Sequence, residues 1–209
     1  MIVGISGFAG SGKDTLADFL VPHGFQKISL ADPLKKICKD VFDFSDQQLW
    51  GPSEYRNLPD KRYRREHSLV GNTCICCGQK HQYTHEFQPC YLTPRYALQL
   101  LGTEWGRHCY RHIWVDYVVK MAAHYPNVVV PDVRYLNEIN RLQSEGAKVV
   151  RIVRSSSNPR TGMSHHSSEV EQSQIDDNRF DFVIKNEGTL EDLRSASHDL
   201  LVFLLNLHS

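Results

Sequence analysis

A glycine-rich run with a single lysine occupies residues 7–15 and reads G-F-A-G-S-G-K-D-T. It directly follows the apolar run Ile2–Ser6, so the sequence predicts a strand, a loop and a helix in succession. In the pattern G-x-x-x-x-G-K-[ST], glycines let backbone N–H groups converge on phosphates, and the lysine neutralises the β- and γ-phosphate oxygens. Gly7, Gly12 and Lys13 occupy these positions. The run therefore predicts a site for a nucleoside triphosphate rather than a turn that only caps a helix.

The residue after the lysine departs from this pattern. A hydroxyl that ligates Mg²⁺ is expected there, but the chain has Asp14, and the hydroxyl follows one position later at Thr15. A carboxylate beside the γ-phosphate is unfavourable unless it faces the metal or takes part in the reaction. Asp14 therefore limits the classes of enzyme to which the chain could belong, but the phosphate-binding motif remains.

The size and charge of the chain limit the classes of protein to consider. With 209 residues it suits one α/β domain that carries an insertion. Lys+Arg and Asp+Glu are equal at 24 each, which does not favour a long nucleic acid as partner. No stretch is apolar enough to cross a membrane, and no basic, cleavable leader is visible. The sequence thus predicts a soluble cytoplasmic protein whose six cysteines are reduced or bind metal.

Strand and helix patterns alternate after the loop and predict an α/β fold, with a parallel sheet flanked by helices. The run at residues 127–132 is β-branched without alternation, as in a strand covered on both faces, and it ends at Asp132. Ligands of open α/β sheets bind at that carboxyl edge. The predicted strands cover residues 2–6, 25–30, 127–132, 147–153 and 182–184. The predicted helices cover residues 15–20, 32–41, 94–101, 114–124, 135–143 and 189–207.

Two segments lack this regular pattern. Residues 45–92 are polar, aromatic and basic, and we predict that they form an inserted subdomain on the acceptor side of the active site. Residues 155–178 are rich in Ser, His, Asp and Asn, which favours a mobile lid over a packed element. His165 and His166 in this lid suit a solvated or phosphate-facing role. The chain is thus predicted to be one domain over residues 1–209 with an insertion and a lid.

Transfer of a phosphoryl group needs cations that hold the moving group, a metal ion and a closed site. Lys13 and the loop amides would hold the donor, and Mg²⁺ would bridge its phosphates. Asp132 could bind the metal indirectly or bind the sugar or base of the acceptor, and the sequence leaves both open. The arginines that could hold the acceptor or the moving group are Arg95, Arg107, Arg134, Arg154 and Arg160.

A cluster of cysteines and histidines lies in the predicted insertion. Cys74 and Cys77 have the C-x-x-C spacing of a zinc knuckle. A structural zinc there would staple the insertion rather than catalyse, because four protein ligands leave no open position. Ordinary thiols remain the alternative, because no second C-x-x-C pair is present. The candidate zinc ligands are Cys74, Cys77, His85 and Cys90.

Together, these runs resemble the deoxynucleoside monophosphate kinases of the type found in tailed bacteriophages. The resemblance covers most of the chain and includes the lysine followed by aspartate. The matching runs are S-G-K-D-T at 11–15, A-D-P-L-K at 31–35, T-P-R at 93–95 with Gln99, L-G-T-E at 101–104 with Arg107, P-D-V-R-Y-L-N-E at 131–138, H-x-S-E at 166–169 and N-E-G-T-L at 186–190.

This resemblance implies a P-loop NTPase fold like that of the nucleoside monophosphate kinases. It also implies transfer of the γ-phosphoryl group of ATP to a deoxynucleoside 5′-monophosphate, with Mg²⁺, and the catalytic residues Lys13, Asp14 and Arg134. Asp14 would be a catalytic or metal-positioning acid. The implied ATP ligands are Gly10, Ser11, Gly12, Lys13, Asp14 and Thr15. The implied acceptor ligands are Lys35, Arg95, Gln99, Arg107, Asp132 and Arg134, with Trp114 as a surface on which the base stacks.

Other functions remain compatible with the sequence. A dephospho-coenzyme A kinase or a phosphomevalonate-type kinase also pairs a phosphate loop with a basic lid, and the acceptor would distinguish them. A nucleotide-hydrolysing switch would act without any acceptor. A zinc-bearing nucleic-acid module is disfavoured by the neutral net charge. Apolar helical surface near residue 207 permits a homodimer.

Overall fold

The computed structural model describes residues 1–65, 69–70, 73–74, 90–154 and 167–206 of the chain. The chain divides into two compact units. The first unit comprises Met1–Leu30 and His112–Ser209, and the second comprises Ala31–Arg111. Residues 45–92, which the sequence predicts as an insertion, lie within the second unit, and the insertion itself stays a prediction.

Nine strands and nine α-helices are assigned within the described residues. The strands are β1 (Ile2–Ser6), β2 (Gln26–Lys27), β3 (Asp60–Arg65), β4 (Leu69–Val70), β5 (Thr73–Cys74), β6 (Cys90–Leu92), β7 (Val128–Val133), β8 (Lys148–Val153) and β9 (Phe182–Lys185). The helices are α1 (Lys13–Leu20), α2 (Asp32–Phe42), α3 (Asp46–Leu49), α4 (Ser53–Asn57), α5 (Pro94–Gln99), α6 (Ile113–Ala122), α7 (Leu136–Ser144), α8 (Ser167–Ser173) and α9 (Leu190–Asn206). A π-helix, Leu100–Arg107, continues α5.

The first unit is built on a five-stranded sheet in the order β2-β7-β1-β8-β9. Every neighbouring pair in it is parallel, which confirms the predicted α/β fold. Because the strands are parallel, their carboxyl ends lie at one edge of the sheet. In register, Ser6 at the end of β1 is paired with Val133 on one side and Arg151 on the other. The loop that follows β1 therefore starts from the middle of this edge.

Helices cover both faces of the sheet. Val3 and Ile5 of β1 are fully buried in a core that includes Leu16 of α1 and Leu200 of α9. Gly4 lies on the opposite face, where an added Cβ would meet Leu142 Cδ1 of α7 at 3.1 Å. The absence of a side chain at this position lets α7 approach the central strand closely. These two layers hold β1, and with it the start of the loop, in place.

Two element boundaries differ from the sequence predictions by three residues or more. The strand predicted at residues 25–30 ends at Lys27, because the chain then leaves the sheet and the Leu30 backbone N–H donates to the Asp132 side chain at 2.8 Å. The helix predicted at residues 94–101 is longer, since the π-helix extends it to Arg107. None of the described helices combines the length and apolar character needed to span a membrane.

Two residues in the second half of the segment predicted as a lid are buried. Residues 167–173 form α8, and Gln172 is 3% exposed. Ile175 is buried as well, and its carbonyl oxygen accepts a hydrogen bond of 2.6 Å from Arg151 Nη1 of β8. Gln172 and Ile175 therefore pack against the rest of the first unit, while the lid as a whole stays a prediction. Residues 155–166, which include Arg160 and both histidines, lie outside the described residues.

The second unit has its own apolar core. Cys38 of α2, Phe44 and Leu49 are buried together with Leu92 and Ala97. Strands β3 and β6 pair in antiparallel fashion within this unit. This core positions α2 and α5, which carry three of the predicted acceptor ligands.

Candidate active site

The loop between β1 and α1 has the backbone that the glycine pattern predicts. Gly10 and Gly12 have positive φ values of 79° and 103°, a region that residues with a Cβ rarely adopt. A Cβ on Gly7 would lie 2.4 Å from the Ile152 carbonyl oxygen of β8, so the loop packs directly against the sheet. Its backbone can therefore turn tightly at the carboxyl edge of the sheet and lead into α1, the arrangement that binds phosphate.

Lys13 is held over this loop. It is the first residue of α1 and is only 8% exposed. Its Nζ donates to the Phe8 carbonyl oxygen at 2.6 Å, and the Ser11 backbone N–H donates to the same oxygen at 3.2 Å. The ammonium group thus lies beside the loop amides, where it can meet the oxygens of a bound phosphate.

The C-terminal part of the first unit braces the loop. Asn186 follows β9, and its Nδ2 donates to the Ser11 carbonyl oxygen at 2.8 Å. A Cβ on Gly12 would lie 2.7 Å from that nitrogen, so the amide packs closely on the loop. Asn186 is 7% exposed and Ser11 is fully buried. Residues so far apart in sequence cannot be paired from the sequence alone, which places Asn186 in the matching run at 186–190 without a role.

Two buried hydroxyl groups lie in or next to the loop. Ser6 Oγ accepts a hydrogen bond of 2.9 Å from Gln172 Nε2 of α8. Ser11 Oγ has no hydrogen-bond partner among the residues that the structure describes. A buried hydroxyl without a partner is costly, and a phosphate oxygen would satisfy it. The loop therefore carries a polar group that suits an anionic ligand.

Asp14, the departure from the usual motif, lies in the first turn of α1. Its side chain is 79% exposed, and its Oδ1 lies 3.3 Å from Lys27 Nζ. The same Nζ also contacts Asp18 Oδ1 at 2.8 Å. The sequence predictions did not include Lys27, because a single lysine at a strand end resembles an ordinary surface charge.

Asp132 lies near the end of β7 and ties it to the segment after β2. Its Oδ2 accepts a hydrogen bond of 2.5 Å from Ser29 Oγ, and its Oδ1 accepts one from the Leu30 backbone N–H. Arg134 is exposed two residues later, and its backbone N–H donates to Glu138 Oε2 at 2.9 Å. The first unit thus places Asp132 and Arg134 at the sheet edge from which the phosphate loop starts.

Four of the predicted acceptor ligands lie in the second unit, and these four are partly exposed. Lys35 of α2 has its Nζ 5.7 Å from the centre of the Trp50 ring. Arg95 of α5 is oriented by two hydrogen bonds of 2.5 Å, from its Nε to Asn57 Oδ1 and from its Nη2 to Ser53 Oγ. The remaining two are Gln99, at the end of α5, and Arg107, at the end of the π-helix.

Trp114 does not have the exposure that its predicted role requires. It lies in α6 and is 7% exposed, on the same helix as the buried residues Val115 and Val118. A ring covered to this extent is a poor surface for stacking a base. The spacing of Trp114, Val118 and Ala122 along one helix face was the sequence signal that favours a core residue.

The zinc prediction falls largely outside the described residues. Cys77 and His85 are not described, and of Cys74 only the backbone in β5 is. Cys90 is buried in β6. Within the described ranges no group of three or more His, Cys, Asp or Glu side chains is placed to hold a metal ion. The zinc site stays a prediction.

The sequence is similar to proteins of one kinase family. The family model described as deoxynucleotide monophosphate kinase matches residues 79–196. A curated protein of Acanthamoeba polyphaga mimivirus, provisionally named a deoxynucleotide monophosphate kinase, is 30% identical to this chain over 215 residues. The match covers 93% of this chain and 93% of the viral protein. The likeness to the bacteriophage type stays a prediction.

Solved structures with a similar overall course of the chain were also found. TT1252 from Thermus thermophilus is 18% identical, with a TM-score of 0.49, and covers 98% of this chain and 97% of its own. Shikimate kinase from Aquifex aeolicus is 13% identical, with a TM-score of 0.48, and covers 100% and 99%. Dephospho-CoA kinase from Campylobacter jejuni is 14% identical, with a TM-score of 0.47, and covers 100% and 98%. At these scores the similarities say nothing about the substrate.

Proposed function

Because the chain belongs to the deoxynucleotide monophosphate kinase family, we propose that it transfers the γ-phosphoryl group of ATP to a deoxynucleoside 5′-monophosphate. The products are ADP and the deoxynucleoside 5′-diphosphate. Membership of the family supports nucleotide kinase activity. The deoxynucleotide as acceptor is our proposal. The observation that carries phosphoryl transfer from ATP is the phosphate loop at the sheet edge, with Lys13 buried over it, and the choice of acceptor rests on the family.

The loop and Lys13 bind the donor. Backbone N–H groups between Gly10 and Thr15, together with the start of α1, surround the β- and γ-phosphates, since a helix N-terminus favours anions. Lys13 Nζ, now bonded to the Phe8 carbonyl oxygen, turns to the phosphate oxygens when ATP binds. There it stabilises the negative charge that develops during transfer. Ser11 Oγ donates its hydrogen bond to a phosphate oxygen.

The residues next to the loop suit Mg²⁺. The ion prefers oxygen ligands and usually keeps several waters. The chain offers the Thr15 hydroxyl and the carboxylates of Asp14 and Asp132, and Asp14 is exposed enough to reach a hydrated ion. When bound, the ion would neutralise charge on the β- and γ-phosphates. We assign Asp14 the role of orienting its water ligands, while Asp132 either assists or binds the acceptor.

Positively charged side chains would hold the acceptor. Arg134, exposed beyond the end of β7, would bind the transferring phosphoryl group. The 5′-phosphate of the acceptor binds to side chains of the second unit, which carries more Lys and Arg than Asp and Glu over residues 31–111. Bidentate guanidinium groups suit a phosphate monoester. The proposed ligands there are Lys35, Arg95, Gln99 and Arg107.

The deciding experiment measures ADP release from Mg-ATP with each deoxynucleoside monophosphate in turn. Dephospho-coenzyme A, the matching ribonucleoside monophosphates and a reaction without acceptor serve as controls, and chromatography identifies the diphosphate product. We expect one or more deoxynucleotides to raise the rate well above the acceptor-free rate. ADP release that no deoxynucleotide stimulates would refute the proposal and leave a hydrolytic switch as the explanation of the phosphate loop.

A further inference from the structure

Lys27, at the end of β2, joins two carboxylates of the helix that starts at the phosphate loop. Asp14 and Asp18 are four residues apart on α1 and therefore lie on one face of it. Lys27 Nζ lies 3.3 Å from Asp14 Oδ1 and 2.8 Å from Asp18 Oδ1. The Lys27 side chain is 31% exposed, whereas Asp14 is 79% exposed. The cation is therefore the more firmly held member of the pair with Asp14.

The charges of this group depend on one another. Burial alone would lower the pKa of Lys27, but its hydrogen bond to Asp18 and the negative charge of Asp14 outweigh burial and raise the pKa. Lys27 therefore stays charged at neutral pH. Without it, Asp14 and Asp18 would repel each other as like charges at i and i+4. The Asp14 carboxylate, one turn closer to the loop than Asp18, would also repel a triphosphate bound there.

We propose that Lys27 is a positioning residue of the kinase, which holds the Asp14 carboxylate at the start of α1 and neutralises its charge towards bound nucleotide. It acts through Asp14 and does not itself bind the phosphates. This explains how the chain tolerates a carboxylate at the position where the usual motif has a hydroxyl. The inference rests on the proposed function for the catalytic role of Asp14, but its effect on nucleotide binding is independent of any acceptor.

The first test measures the dissociation constant of Mg-ATP by calorimetry, without acceptor, for the wild type, Lys27→Met and Lys27→Arg. We expect Lys27→Met to weaken binding about fivefold, the upper range for a pair exposed to solvent. Lys27→Arg keeps the charge and should stay within about twofold of the wild type. Melting temperatures show that each variant is folded. Unchanged affinity in folded Lys27→Met would overturn the proposal.

Double-mutant cycles show through which of the two carboxylates Lys27 affects nucleotide binding, and Asp18 serves as the control for Asp14. In the Asp14→Asn background, Lys27→Met should have almost no further effect, because no carboxylate remains beside the loop to be neutralised. In the Asp18→Asn background the full loss should persist. Equal losses in both backgrounds would show that Lys27 acts on the nucleotide or on the fold directly, and would contradict the inference.

Turnover with a deoxynucleoside monophosphate then distinguishes the two proposals. Lys27→Met should lower kcat while leaving KM for the acceptor unchanged, since Asp14 acts on the donor side. If the wild type transfers no phosphoryl group but the binding cycle shows coupling to Asp14, the proposed function fails and the role of Lys27 stands. If transfer occurs and the cycle shows no coupling, only the role of Lys27 fails.

Discussion

The brace between Asn186 and the phosphate loop gives the sharpest prediction. Asn186→Ala removes the donor to the Ser11 carbonyl oxygen, a bond of 2.8 Å between two buried residues. A buried acceptor left without its donor costs about 1–3 kcal/mol. If the whole cost falls on the ordered loop conformation that binds nucleotide, the dissociation constant of Mg-ATP rises by about 5- to 150-fold.

A second substitution at this position tests whether the hydrogen bond is what matters. Asn186→Asp keeps the shape but places a carboxylate oxygen against the Ser11 carbonyl oxygen, so at pH 8 it should bind Mg-ATP more weakly than Asn186→Ala. If the side chain only filled space, aspartate would bind better than alanine. Calorimetry measures the affinities, and Asn206→Ala, an exposed position on α9, is the control. Wild-type affinity in folded Asn186→Asp would refute the reasoning.

Three further predictions concern charge and metal. Lys13→Ala should abolish phosphoryl transfer in a folded protein, because it removes several kcal/mol of charge stabilisation. Replacing the exposed Lys120 by Ala is the control and should leave turnover normal. Near-normal turnover of Lys13→Ala would refute the loop assignment. The hydrogen bond from Arg62 lowers the pKa of Asp60 to about 2, below the value of about 3.9 for an unfolded chain. The ionised Asp60 carboxylate therefore stabilises the fold above pH 4, and this stabilisation is lost as the pH falls towards 2. Acid unfolding of Asp60→Asn should lose that dependence, and an unchanged profile would contradict it. Metal analysis after purification without added zinc should give about one zinc per chain if Cys74 and Cys77 are ligands; a protein free of zinc would favour plain thiols.

Features with a local signal could be predicted from the sequence. The phosphate loop can be recognised in the sequence because its glycines, its lysine and the strand before it are consecutive. The run of valines in β7 needs both faces covered, which implies a parallel sheet, and the structure confirms this. The family was also identified correctly, because its matching runs are spread over most of the chain.

Features that depend on distant pairs could not be predicted. Asn186 and Gln172 hold the loop and its strand through hydrogen bonds to Ser11 and Ser6. Nothing in the neighbouring sequence of either amide indicates its partner, because side-chain hydrogen bonds have no period along the chain. The same holds for Lys27, whose importance comes from α1 lying beside the end of β2.

The position of β1 in the sheet has a consequence for how the protein is made. The central strand β1 is synthesised well before its neighbours β7 and β8, which begin only at Val128 and Lys148. During translation the apolar β1 must therefore wait unpaired, and parallel pairing over such separations is slow. Asn186 emerges later still. The phosphate loop is thus synthesised long before the strands and the amide that hold it in place, so nascent chains halted before β9 should have no affinity for ATP.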